Sequence, residues 1–193
     1  MTPAEPKMTR SQRVRSKALR VASDLFYANG VRAVGMDQIV DTSGIAKTTI
    51  YRHFPTKDML IEAFLQAEDA EFWHQWDQTV SGADAGIGEL EALCRWIGDR
   101  VRRDGYRGCP QINVAAEFAD YDHPARAVAR AHKAEMLRRL TSICARTGVS
   151  NPSVPALQIS LLLDGAFMSD GRLNGVDAPA VLIQAVRRIV TSG

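Results

Sequence analysis

The stretch from Met36 to Lys57, MDQIVDTSGIAKTTIYRHFPTK, constrains the fold of this chain more than any other. It reads as a short helix, a glycine turn and a second short helix. Ile39 and Val40 form the inward side of the first. Gly44 can supply the positive φ that a tight turn between helices needs. Pro55 stops the second helix, and Thr56 opens another beside Asp58, which suits the positive end of a helix dipole.

On a helical wheel, Ala46, Ile50 and Phe54 fall within about 80° and form the expected buried stripe. Thr48 and Arg52 then point away from it. Lys47 and Tyr51 lie along one edge, Thr49 and His53 along the other. Such a helix is suited to duplex DNA. Arg can take guanine O6 and N7 with two hydrogen bonds, and Thr can donate, accept or touch a thymine methyl. Lys, Tyr and His suit phosphate oxygens. Lys57, at the start of the next helix, can add a phosphate contact. Arg10, Arg13 and Arg15 can reach along the backbone or into a minor groove.

The charge is placed accordingly. The net charge is only +2, but residues 1–60 hold ten Lys or Arg against five acids, and the remainder carries −3. A basic first third on a mildly acidic body points to a polyanionic partner at the N-terminal end.

Elsewhere apolar residues recur at spacings of three and four, the helical period. One helix is expected over Ser11–Asn29, with Ser11 as N-cap and Gly30 just past its end. A long helix runs from Lys57 to about Thr79, then others over Ile87–Val101 and Gln111–Phe118. Asp122-His123-Pro124 starts another that reaches about Thr147. The next begins at Pro152 or Pro155 and ends near Arg172, and a last helix follows Pro179. The fold class is therefore all-α, with about nine helices and no convincing strand. Met1–Thr9 reads as a flexible leader, 10–56 as a helix-turn-helix domain and 57–193 as a helical body.

The function classes narrow further. Cys94, Cys109 and Cys144 are odd in number and far apart, as expected of reduced thiols in a cytoplasmic protein. No membrane partner is expected, since no run approaches the length of a membrane span. The four histidines cluster with no Cys or carboxylate in a catalytic motif, so no enzyme, cofactor or metal site is expected; Asp122-His123-Pro124 reads as a helix cap. Trp73, Trp76, Trp96, Phe118, Met136 and Phe167 can line an apolar pocket, with Glu117 or Asp164 as a polar anchor. Such a pocket suits a lipophilic or aromatic compound.

From about Ala18 to Leu65 the sequence resembles the TetR family of bacterial transcriptional repressors. The resemblance rests on Leu25-Phe26-Tyr27-Ala28-Asn29-Gly30, on Ile39, on the run from Ser43 to Phe54 and on Lys57, Asp58 and Leu60. It implies a homodimer that binds a palindromic operator in double-stranded DNA, and a body that dimerises and binds a small-molecule inducer. Carried over by position, Lys47, Thr49, Tyr51, Arg52, His53 and Lys57 are DNA-contact residues, and Thr48 joins them by its place on the helix. The last two helices would pair with their copies through Leu161, Gly165, Met168, Leu182, Val186 and Ile189. One departure stands out. Many members carry a capping Ser or Thr before the second helix, where this chain has Val34 and Gly35. The alternative is a helical protein that binds a small molecule or a partner without reading DNA.

Overall fold

The computed structural model describes residues 8–191, and among them it contains nine helices and no strand. They are α1 (Arg10–Asn29), α2 (Met36–Ser43), α3 (Lys47–His53), α4 (Lys57–Ser81), α5 (Ile87–Arg100), α6 (Pro110–Glu117), α7 (Pro124–Ala145), α8 (Ser153–Phe167) and α9 (Ala178–Thr191). The expected all-α fold is the one observed. Of the leader, residues 1–7 lie outside the described residues.

Two helix ends depart from the expectation. The cap of α1 is Thr9, not Ser11. Its hydroxyl accepts from the Gln12 N–H (3.2 Å), and the Gln12 side chain accepts from the Thr9 N–H (2.7 Å), so two donors at the helix start satisfy each other's residues. Helix α8 ends at Phe167 rather than near Arg172. Asp170 (φ 47°) and Gly171 (φ 77°) both adopt positive φ there, which a continuing α-helix does not allow.

The apolar residues form two cores. The first joins Ala18, Ala22 and Phe26 of α1 to Ile39, Ile50 and Phe54, and then to Leu60, Ile61, Phe64 and Leu65 of α4. Val114 of α6 and Ala125 of α7 complete it. The second core takes Phe72 and Trp76, farther along α4, together with α5, α7, α8 and α9. Helix α4 thus serves both cores, changing from one to the other between Leu65 and Phe72.

Not every residue expected at a dimer face lies on the surface. Leu182 (2% exposed) and Val186 (0%) are sealed in the second core of a single chain, where α9 packs along α5. They offer a partner no surface. Ile189 is half-buried against the same core. Leu161 (64% exposed) and Gly165 of α8, and Met168 just past its end, do lie outward, in line with Val154 and Leu157.

Candidate nucleic-acid interface

Helix α2 begins at Gly35 with no side-chain cap, as the Val34-Gly35 pair anticipates. It ends at Gly44, which is left-handed (φ 64°, ψ 21°) and donates its N–H to the Val40 carbonyl at 2.9 Å. Buried Ser43 stitches the turn. Its hydroxyl donates to the Val40 carbonyl (3.3 Å) and accepts from the Ile45 N–H (3.2 Å). These bonds fix the angle at which α3 leaves α2.

Helix α3 is seated by Ile50 (0% exposed) and, just past its end, by Phe54 (2%). Ala46 is not part of the buried stripe. It is exposed and has an extended ψ of 135°, so it precedes the helix and the wheel does not apply to it. Lys47, Thr48, Tyr51 and Arg52 are exposed, and Thr49 is half-buried. His53 is half-buried too, and its Nε2 is enclosed with no hydrogen-bond partner.

The charges on this face are not all unengaged. The Lys47 ammonium donates to Asp37 Oδ1 at 2.7 Å, and that hydrogen bond, with the attraction of the carboxylate, raises its pKa. Lys57, the first residue of α4, is half-buried, and burial lowers its pKa. Thr56 caps α4 by accepting the Met59 N–H at 3.1 Å.

The fold brings Arg10 to this face. Arg10, Ser11 and Val14 of α1 share one concavity with Gly44, Ile45, Thr49 and Arg52, about 560 Å3 in volume. The other two arginines of the expected arm are used locally. Arg13 donates to the Met8 carbonyl (3.2 Å), and the Arg15 guanidinium lies over the Phe54 ring, 4.9 Å from its centroid.

The expected ligand residues do not form one site. Phe72, Trp73, Trp76, Trp96 and Phe167 pack on one another in the second core, Phe72 at 5.0–6.1 Å from the other four ring centroids. Met136 is fully buried in the same core. Phe118 belongs to the first core instead, stacked on His123 at 3.7 Å. The expected anchors are engaged elsewhere. Asp164 pairs with Lys133, and the Glu117 carboxylate accepts the Val31 N–H (3.0 Å) and the Arg32 N–H (2.8 Å). Glu117 therefore holds the α1–α2 loop.

Near that aromatic core His132 is buried, with Nδ1 2.6 Å from Asp69 Oδ1, which also accepts from Trp73 Nε1 at 2.8 Å. Burial lowers the His132 pKa, only partly offset by the Asp69 carboxylate. Nδ1 thus carries the proton that it shares with Asp69.

No group of three or more potential metal ligands converges among the described residues. Asp120, Asp122 and His123 serve the start of α7: the Asp122 N–H donates to Asp120 Oδ1 (3.0 Å), and His123 Nδ1 accepts from the Ala125 N–H (3.2 Å). All three cysteines are buried free thiols. Burial pushes Cys94 up to about 12 and Cys144 up to about 11, so neither offers a thiolate near neutral pH. No helix among the described residues is long and apolar enough to cross a membrane.

A second set of bonds, which no sequence motif marks, ties the three N-terminal helices to the body. The Tyr27 hydroxyl donates to the Gly108 carbonyl (3.2 Å) and accepts from the Arg107 N–H (2.9 Å). Arg107 Nη1 donates to the Tyr27 carbonyl (3.3 Å), and Arg32 Nη1 to the Glu117 carbonyl (3.1 Å). These bonds join residues about eighty positions apart, which no local pattern encodes.

Residues 18–64 match the model of bacterial regulatory proteins, tetR family. The chain is 40% identical over 60 residues to the transcriptional activator FasR of Mycolicibacterium smegmatis, and 36% identical over 63 residues to the transcriptional regulator QacR of Staphylococcus aureus. Those alignments take up 31% and 33% of this chain, and only 27% of FasR and 34% of QacR. The fold extends the likeness. A TetR-family transcriptional regulator from Streptomyces coelicolor superposes with a TM-score of 0.87 at 29% identity, over 93% of this chain and 95% of that one. Residues 18–64 thus carry the helix-turn-helix segment of the bacterial regulatory proteins of the tetR family, and along most of its length the chain has the fold of a TetR-family transcriptional regulator.

Proposed function

We propose that this protein is a cytoplasmic, DNA-binding transcriptional regulator: a homodimeric repressor that a small-molecule inducer releases from a palindromic operator. The observation that carries this reading is the outward face of α3. Lys47, Thr48, Tyr51 and Arg52 stand exposed on a helix that Ile50 and Phe54 anchor from behind. Arg52 and Thr48 are the base readers in this reading. Lys47, Thr49, Tyr51 and Lys57 hold phosphates, and Arg10 is added to them by its place beside Arg52. His53 joins only through Nδ1, since its Nε2 is enclosed.

Dimerisation in this reading uses the outward stripe of α8, from Val154 and Leu157 through Leu161 and Gly165, continued by Met168 just past its end. Exposed apolar side chains along one helix face favour a second apolar surface over water. Two copies would set their α3 helices one DNA turn apart, about 34–36 Å. The inducer would favour a conformation in which that spacing is lost. The sign of regulation has a rival, because the relative FasR is named an activator.

The test is selection of bound duplexes from a random library at near-physiological salt, followed by sequencing. A palindrome with half-sites one turn apart is expected. Salt-sensitive binding with no sequence preference would leave a ligand- or partner-binding protein instead.

A further inference from the structure

The tripeptide Asn-Gly-Val occurs twice in this chain, as Asn29-Gly30-Val31 and as Asn174-Gly175-Val176. An asparagine before glycine can modify itself, because glycine has no side chain to screen its nitrogen from the asparagine amide. The fold holds the two copies differently. We propose that Asn174, in the loop between α8 and α9, is a site of spontaneous covalent modification to aspartate and isoaspartate, and that the fold protects Asn29 from the same reaction.

The first copy is tied at the groups the reaction needs. Asn29 closes α1, and its side-chain Nδ2 donates to the Leu25 carbonyl at 3.1 Å. The Gly30 N–H, which would be the nucleophile, donates to the Phe26 carbonyl at 2.9 Å. The next N–H, of buried Val31, is taken by the Glu117 carboxylate at 3.0 Å. To react, Asn29 must give up its amide bond and Gly30 its helix-end bond, and the peptide must turn against a packed loop.

The second copy is tied at neither reacting group. Among the described residues, the Asn174 side-chain amide and the Gly175 N–H have no hydrogen-bond partner. Asn174 donates its own backbone N–H to the Gly171 carbonyl (2.8 Å), a bond that involves neither of them. Asn174 and Gly175 are exposed, and so is Val176 at 45%. Nothing lies within 4 Å of the place a Gly175 Cβ would occupy, so the approach to its nitrogen is open.

The step needs only water. The Gly175 nitrogen gives up its proton and attacks Asn174 Cγ. The new N–Cγ bond forms as the Cγ–Nδ2 bond breaks, and the amide group leaves as ammonia with that proton. Water then opens the cyclic imide at either carbonyl. One opening gives aspartate, the other isoaspartate with a main chain one carbon longer. Nothing is oxidised or reduced. Either product sets a new carboxylate between Asp170 and Asp177, whose Oδ1 accepts the Ala180 N–H (3.0 Å) at the start of α9. The loop that follows Met168 thus gains negative charge as the molecule ages.

The test is incubation of the folded full chain at physiological temperature, at neutral and at mildly alkaline pH, beside a sample held in denaturant. Rapid tryptic digestion at mildly acidic pH and mass spectrometry follow. The peptides Leu173–Arg187 and Val21–Arg32 each contain a single asparagine. In denaturant the two copies should react at similar rates, which sets the clock. In the folded chain Leu173–Arg187 should take on the amide-to-acid mass shift, faster at the higher pH, and accept label from an isoaspartate methyltransferase. Val21–Arg32 should react at least tenfold more slowly, as two hydrogen bonds of ordinary net strength require. Gly175→Ala, on the exposed loop, should slow Asn174 at least tenfold. Equal rates at the two copies in the folded chain would overturn the proposal. So would an intact Asn174 after the denatured chain has reacted at both copies, or an unchanged rate in Gly175→Ala. No DNA takes part, so such a failure leaves the duplex selection untouched.

Discussion

Glu117 is the sharpest place to test how the two cores are fastened. Its carboxylate takes the Val31 N–H at 3.0 Å and the Arg32 N–H at 2.8 Å. Val31 is fully buried, so its N–H has no solvent to fall back on. Glu117→Gln keeps the size but leaves one acceptor oxygen. The amide NH2 then faces one of the two backbone donors. A buried donor left unpaired costs about 1–3 kcal/mol, and the exposed Arg32 side of the bond adds less than a further 1 kcal/mol. We expect a destabilisation of about 2 kcal/mol, which for a chain of this length lowers the melting temperature by about 4–8 °C. Amide hydrogen exchange should report it locally, as faster exchange at Val31 and Arg32. Glu117→Asp, too short to reach both donors, should behave similarly. An unchanged melting temperature with unchanged protection at Val31 would refute the claim that this carboxylate holds the loop.

Three further perturbations address the interface and the body. Arg52→Ala and Tyr51→Ala should each lose at least tenfold in affinity for a selected duplex, with dimerisation by sedimentation unchanged; retained affinity would remove α3 as the reader. Asp37→Asn frees Lys47 and removes a carboxylate from the proposed phosphate face. It should steepen the slope of log affinity against log salt by about 0.9, one phosphate contact, and an unaltered slope would place Lys47 away from phosphate. His132 has a lowered pKa, so the unfolded chain takes up its proton more readily than the folded one. Stability should therefore rise with pH through the ordinary histidine range and fall as pH drops from about 7 to about 5; His132→Asn should flatten that dependence in denaturant titrations, and an unchanged profile would show that His132 does not cause it.

Local chemistry explains what the sequence made legible. Gly44 at φ 64° and Thr56 as a cap are decided by neighbours within four residues, and both were readable. So was the helical period that gave nine helices. The reading erred where a residue's role is set from afar. Glu117 looked like a ligand anchor because an acid beside aromatics suggests a pocket, yet its partners lie some eighty-five residues earlier. The resemblance implies a dimer face at Leu182 and Val186, and apolar periodicity does not correct it, because it identifies a buried side without naming what buries it. Ala46 failed for a different reason. The wheel assumes helical dihedrals, and the turn at Gly44 holds Ala46 extended.

The division of α4 between two cores bears on how a ligand could act at a distance. Leu60, Ile61, Phe64 and Leu65 pack with α1–α3, while Phe72 and Trp76 pack with α5, α7 and α8. A close-packed interior does not deform gradually. A rigid tilt of α4 in the body therefore either carries the N-terminal helices with it or breaks their seating. The bonds from Tyr27 and Glu117 favour the first outcome, since they hold the end of α1 to the segment just before α6, and the α1–α2 loop to α6 itself, which packs on α4 and α7. Coupling between binding sites in proteins is typically worth about 1–3 kcal/mol. The buried Val31 bond alone is worth about that much. Weakening it should cost coupling as well as stability, so Glu117→Gln should blunt the response of DNA affinity to an inducer while leaving inducer affinity measured without DNA nearly intact.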